Sequence, residues 1–440
     1  MIDWDNIAEE AAQLLSAYLK IKSINPPGNE QETAEYLGQC LAERGMNSTI
    51  YPSGEQRANL LTRLPGDGSK RPILLYNHMD VVEADAHRWR DDPYSGAIRD
   101  GYVWGRGALD MKGMGIMQLL AMDLLRQHHP QRTRDIIFLA AADEEKGGQF
   151  GAQWMIDHHA AEIEAEYMWD EGGFGLRDFF DPRPVFTVSV AEKKEVWLKV
   201  IAHGEPGHSG MPHENNAADI LLRALTKIMA LNAKFELHPV AARMFSAIGS
   251  LKTFPQSFLL KHLNNPLIFR LLLPTLKKDK TISAMLRDTL SITVLRAGDK
   301  ENIIPERAEA TLDIRLLPDR DPQVFVDQLI KLIGDPRIEI EFLQLPQKRV
   351  VTELNTEFFQ TLCEVLHEQV PESIPAPLLS PGTTDSSFFR QLGVQAYGLV
   401  PAILTPDELA RFHGVDERIS IENLRLGTRI IYEVLVRMCA

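Results

Sequence analysis

The run Ile73-Leu-Leu-Tyr-Asn-His-Met-Asp80 constrains the fold more than any other part of this chain. Apolar residues follow one another without alternation, then stop at an imidazole and a carboxylate two positions apart. A short run that is apolar at every position reads as a strand buried on both faces, the habit of parallel sheets covered by helices. Residues 136–142 repeat the pattern, and helical spacing over 113–127 and 148–158 fills the intervals. This alternation predicts an α/β domain with an open, mainly parallel sheet. Ligands of such sheets bind beyond the carboxyl ends of the strands. His78, Glu144, Glu145 and Asp170 all fall at that edge, each just after an apolar run.

The character changes near residue 190. Residues 195–201 and 308–315 alternate with period two, as in a half-exposed antiparallel sheet, while 217–231 and 322–333 have helical spacing. We expect an inserted α+β lid or dimerisation domain over 192–346, between the two parts of a catalytic domain at 1–191 and 347–440. The tail after Thr352 supplies His413, so both parts must meet at one site. Within the insert, about 233–290 forms an extra segment with apolar runs at 254–263 and 266–273, punctuated by Pro266 and Pro274. It reads as a helical extension with its own core or a dimer contact, or as the lining for an apolar substrate tail; membrane insertion is disfavoured because the runs are short and carry charges.

A chain of 440 residues exceeds one ordinary core, in keeping with two domains. Its formal charge of −14 argues against nucleic acid or a membrane as the main partner, since both call for a basic face. Cys40, Cys363 and Cys439 are odd in number and far apart, which suits a reducing compartment. The amino terminus lacks the pattern of a secretory signal, and no apolar run approaches the roughly 20 residues of a spanning helix. The expectation is a cytoplasmic protein acting on a small molecule.

Carboxylate and imidazole side chains at one sheet edge suit Zn²⁺, and also Mn²⁺ or Co²⁺. Taken singly, His78 could be a buried structural histidine, Asp110 a helix cap and Glu144-Glu145 a solvated turn. Their joint placement points to a pair of divalent ions sharing one carboxylate, ~3.5–4 Å apart in binuclear hydrolases. Of two adjacent glutamates, one can ligate while the other stays free as a base. Asp80 is placed to accept the second ring N–H of His78 and fix its tautomer.

The motifs Asn77-His-Met-Asp-Val-Val82, Gly105-Arg-Gly-Ala-Leu-Asp-Met-Lys-Gly113, Asp143-Glu-Glu145, Asp170-Glu-Gly172 and Phe412-His-Gly414 resemble, in order, those of the M20 family of metallohydrolases. That family includes aminoacylases, carboxypeptidases and deacylases. The resemblance implies a binuclear centre in which His78, Asp110 and Asp170 hold one ion while Asp110, Glu145 and His413 hold the other. Glu144 would be the general base. Gly204-Glu-Pro-Gly-His208 is similar to the family's lid motif, whose histidine stabilises the oxyanion, often from the partner subunit of a homodimer. Asn302, Arg315, Gly382 and Thr383 resemble residues that grip a substrate carboxylate. On their own terms His208 could be a turn residue, Asn302 a strand-end cap and Arg315 a partner for Asp313 or Asp319. The implied activity is hydrolysis of an amide or peptide bond beside a free carboxylate, in dipeptides, short peptides or N-acyl amino acids.

Overall fold

A ten-stranded sheet runs through the computed structural model, which describes residues 2–231, 233–344 and 350–440. Its centre is parallel: Ile136–Ala141, Ile73–His78, Tyr167–Asp170 and Gln395–Gly398 lie side by side in the same direction. Antiparallel strands Ser48–Gly54 and Arg57–Leu64 extend one edge. On the other side Val185–Glu192 pairs in parallel with Ile374–Ser380. The mainly parallel α/β sheet expected from the sequence is present.

The unbroken apolar run at 73–76 serves two cores. Ile73 and Leu75 pack with helices Trp4–Leu19, Lys112–His128 and Ile421–Cys439, whereas Leu74 and Tyr76 pack with Ala152, Met155 and Phe389 on the opposite face. All six residues of Ile73–His78 are buried. Because nearly every side chain of the central strands is sequestered, Gln395 at the start of its strand being the exception, it is their carboxyl ends that leave polar groups to meet a ligand.

The insert builds a four-stranded antiparallel sheet in the order Thr289–Ala297, Arg307–Leu316, Lys194–His203, Ile338–Phe342. Helices Ala217–Met229 and Pro322–Ile333 cover one face, packing on Val196, Leu198, Leu312 and Ile314. Period two then sends Glu195, Trp197, Asp313 and Arg315 to the other face. The expected carboxyl boundary of the insert, at 346, lies outside the described residues.

The extra segment departs from its expected place. Helices Pro239–Ser250, Gln256–Lys261, Pro266–Leu276 and Lys280–Met285 do not join the core of the inserted sheet. Met244, Phe245, Ile248 and Leu263 pack instead with Val185 and Ala376 of the large sheet. The reason is a free apolar margin: Val185–Glu192 and Ile374–Ser380 stand beside one another at the sheet's side, and the first helix of the segment covers Ile374–Ser380. Sequence position inside the insert therefore does not give spatial membership in it.

Candidate metal centre

Asp110 stands at the middle of the site. Its Oδ1 lies 3.0 Å from His78 Nε2, and its Oδ2 lies 2.6 Å from His413 Nε2. One carboxylate thus faces two imidazoles, one through each oxygen. Glu171 Oε1 is 3.5 Å from His78 Nε2, and Glu145 Oε1 is 3.5 Å from His413 Nε2. His78, Asp110 and Glu171 form one triad and Asp110, Glu145 and His413 a second, the ligand atoms of each lying within 4.8 Å of one another.

Several of these side chains are held from behind. His78 ends its strand with Nδ1 at 3.0 Å from the Asp80 carbonyl and 3.4 Å from Asp80 Oδ1, so the backbone shares the tautomer-fixing role expected of the carboxylate alone. The Asp80 carboxylate has further partners: Oδ1 accepts from Glu144 N at 3.2 Å, and Oδ2 from Glu145 N at 3.1 Å and Asn25 Nδ2 at 2.8 Å. It clamps the turn that presents both glutamates. That turn starts at Asp143 with φ of 69°, and His413 has φ of 55°. Left-handed backbone costs a non-glycine residue about 1–3 kcal/mol and persists where the surroundings enforce it. For Asp143 the enforcement is visible, since its carboxylate accepts from Arg57 Nη1 at 2.8 Å, Asn25 Nδ2 at 3.0 Å and Phe150 N at 3.1 Å.

Two residues of the site escaped the sequence reading. Asp170, expected as a ligand, does not join either triad. Its Oδ2 accepts from the Ser386 hydroxyl at 2.8 Å and Ser386 N at 3.1 Å, and its Oδ1 accepts from Glu171 N at 2.8 Å. With both oxygens committed to these donors, Asp170 braces the loop, and its neighbour Glu171 turns toward His78. The second is Glu417, fully buried, whose Oε1 accepts from Leu109 N at 2.7 Å and Asp110 N at 3.2 Å. Its Oε2 takes Arg106 Nη1 at 2.6 Å and Gly107 N at 3.2 Å. The adjacent carboxylates of Asp170-Glu171 were a signal for the first. For Glu417 only its position four residues past His413 hinted at a role.

The electrostatics are those of a place built for cations. Burial pushes the Glu144 carboxyl well above its ordinary range, Glu171 and Asp385 up to about 8 and Asp170 up to about 6. Burial acts the same way on Asp110, yet hydrogen bonds from His413 and His78 overcome it and keep that carboxylate ionised. His413 is raised to about 10, first by its hydrogen-bonding contact with the Asp110 carboxylate and then by the Glu145 carboxylate nearby. Glu145 Oε1 is buried without a hydrogen-bond donor. Crowded acids, an orphaned carboxylate oxygen and paired O/N triads all fit divalent ions.

A cavity of about 610 Å³ opens beside this centre. Glu144, Glu145 and His413 border it on one side, with Arg315, Gly382 and Thr383 on another. Arg315 pairs with Asp313 (Nε–Oδ1 2.8 Å) and Glu195 (Nη1–Oε2 2.7 Å), and reaches Thr383 Oγ1 at 3.4 Å. Gly382 N donates to Ser380 Oγ at 3.2 Å. His208 and Asn302 sit elsewhere, both exposed. They adjoin across the short ladder of Gly207–His208 with Ile303–Ile304, where Ser209 N donates to the Asn302 carbonyl at 3.1 Å. Neither borders the cavity.

Similarity to known proteins agrees with this geometry. The chain is 29% identical over 391 residues to the human N-fatty-acyl-amino acid synthase/hydrolase PM20D1, covering 87% of this chain and 77% of that protein. It is 31% identical over 382 residues to a probable carboxypeptidase S-like 2 of Dictyostelium discoideum, covering 84% and 72%. In fold it resembles the M20 family metallo-carboxypeptidase Sso-CP2 from Sulfolobus solfataricus, with a TM-score of 0.74 at 20% identity and 97% and 98% of the two chains covered. The profile of Peptidase family M20/M25/M40 matches residues 74–437, and the chain belongs to that family.

Proposed function

We propose that this metallohydrolase cleaves an amide bond beside a free carboxylate, in N-acyl amino acids or at the carboxyl end of short peptides. The observation that carries the reading is Asp110, one oxygen toward each histidine, next to a cavity that also meets Arg315. His78, Asp110 and Glu171 would hold one divalent ion and Asp110, Glu145 and His413 the other. Zn²⁺ is the first choice for this O/N set, with Mn²⁺ or Co²⁺ also suited. Bound there, such ions polarise the scissile carbonyl and acidify water toward neutrality.

The protein's own groups do the rest. Glu144 borders the cavity yet belongs to neither triad, so its carboxylate is free to take a proton from the attacking water. A carboxylate so placed can hold this proton and then return it to the leaving amine. Asp80 serves by keeping the Glu144–Glu145 turn and the His78 ring in place. On the opposite wall Arg315 offers its fork to the substrate carboxylate, helped by Thr383 and the Gly382 loop. That exchange happens against Asp313 and Glu195, so carboxylate recognition is graded by competition.

His208 and Asn302 lie away from the cavity of their own chain, which supports a homodimer in which each lid serves its partner. Strand Thr289–Ala297 stands at the edge of the inserted sheet with Val294 and Leu295 exposed, a surface suited to that pairing. Mixing His208→Ala chains with Glu144→Ala chains then restores part of the activity. Cys40, Cys363 and Cys439 are free thiols, in keeping with a reducing, cytoplasmic setting.

The deciding experiment is a hydrolysis panel of dipeptides and N-acyl amino acids with added Zn²⁺, Mn²⁺ or Co²⁺. Chelation abolishes turnover and metal restores it. Converting the substrate carboxylate to an amide abolishes cleavage, and a comparable kcat/KM on that amide would rule out carboxylate recognition.

A further inference from the structure

The helix Pro266–Leu276 breaks the usual relation between composition and burial. Nine of its eleven residues are apolar, Arg270 and Thr275 being the exceptions, yet only Leu276 is fully buried. Ile268, Phe269 and Leu272 pack in part against the cluster on the large sheet. The opposite stripe, spaced i, i+3, i+4, i+7, carries Leu267, Arg270, Leu271 and Pro274, all exposed. Leu267 is 78% exposed and Leu271 67%. The same segment leaves Phe254 82% and Phe258 48% exposed. Large apolar side chains this open, grouped in one segment, mark an interaction surface rather than ordinary scatter.

Charge identifies what it meets. Between 253 and 280 the chain has five cations (Lys261, Arg270, Lys277, Lys278 and Lys280) and a single anion, Asp279, in a protein whose net charge is −14. All five are exposed. Asp279 is engaged as a helix cap, its Oδ1 accepting from Ile282 N at 2.8 Å. A local charge of +4 on so acidic a chain, joined to protruding leucines and phenylalanines, is the composition of a segment that lies in the headgroup region of a bilayer.

We propose that the exposed face of the 253–280 segment docks this protein on an anionic lipid bilayer. Phe254, Phe258, Leu267 and Leu271 enter the interface while the cations pair with headgroups. The earlier expectation of no membrane partner rested on net charge and on the length needed to span. Docking needs neither a basic chain nor a spanning helix, and no helix among the described residues is long and apolar enough to cross. A second copy is a poorer occupant, because a twofold interface is isologous and would set one +4 patch against another. Nor does the segment line the catalytic cavity, to which it contributes no residue.

The test is flotation of the full chain with vesicles of phosphatidylcholine alone or mixed with phosphatidylglycerol. The protein floats with the mixed vesicles, less with the neutral ones, and less again as salt rises. Leu267→Glu/Leu271→Glu lowers binding to mixed vesicles by about tenfold or more. Lys277→Glu/Lys278→Glu removes the preference for anionic lipid. Both variants keep wild-type hydrolysis of a soluble substrate and an unchanged mass by light scattering. Failure of the wild-type chain to float with mixed vesicles overturns the proposal whatever the variants do. Conversion of a dimer to a monomer by Leu267→Glu/Leu271→Glu assigns the face to a second copy and overturns it as well.

Discussion

The carboxyl edge of the large sheet and the rim of the inserted sheet both carry residues that the motifs singled out, but they are built differently. At the edge most of the triad side chains have a buried partner behind them: Asp80 for the glutamate turn, Glu417 for Asp110, the Asp80 carbonyl for His78, with the exposed His413 as the exception. At the rim His208 and Asn302 are exposed and touch little beyond their own two-residue ladder. The difference teaches that the centre is preorganised by contacts within one chain, whereas His208 and Asn302 have no comparable support behind them.

The sharpest way to break that contrast is Glu144→Ala. With both triads intact, kcat falls by about 10³-fold or more while metal content stays at the wild-type value. Metal analysis beside single-turnover kinetics decides it, and either a near-normal kcat or a loss of metal would falsify the assignment. Next in size is the exchange of roles between two neighbours. Glu171→Ala loses one ion, with affinity down by more than about 100-fold, because it removes a ligand rather than a support. Asp170→Ala keeps both ions and costs about 1–3 kcal/mol of stability through its unpaired Ser386 donors. Calorimetric titration with Zn²⁺ separates the two, and the reverse pattern would return Asp170 to the ligand set.

A smaller effect tests the support itself. Glu417→Gln keeps the shape but weakens the acceptor beneath Gly107, Leu109 and Asp110, lowering metal affinity or activity by about 10–100-fold. No change would mean that the loop holds Asp110 unaided. The smallest concerns pH. In the metal-free protein Glu171 and Asp385 titrate near 8 and Asp170 near 6, above their ordinary values because they are buried. Carboxyls raised in the folded state bind protons more tightly there than in the unfolded chain. Metal-free stability therefore falls as pH rises from the ordinary carboxylate range to about 8. Thermal unfolding after chelation gives a higher Tm at pH 6 than at pH 8, and a flat profile would contradict the acid crowding.

Much of the centre was legible because strands and motifs encode it locally. The apolar run ending in His78 announced both a parallel sheet and the edge at which ligands gather. The doublet Glu144-Glu145 offered two adjacent carboxylates, of which Glu145 joins a triad and Glu144 does not. Arg315 reads from sequence as a carboxylate grip or as a partner for Asp313 or Asp319, and its pairing with Asp313 shows that a sequence offers such alternatives without ranking them.

What the chain order by itself determined is the alternation of strand and helix, the sheet edge and the residue types that meet there, since these follow from periods of two and 3.6 and from where apolar runs stop. Tertiary structure alone decided the rest. Which of Asp170 and Glu171 turns inward depends on Ser386, 216 residues away from Asp170. That Glu417 carries the loop before Asp110 depends on a contact across 308 residues to Leu109. The helices between Pro239 and Met285 left the inserted sheet for the margin of another because burial is won wherever apolar surface is free, and that location is a property of the whole fold.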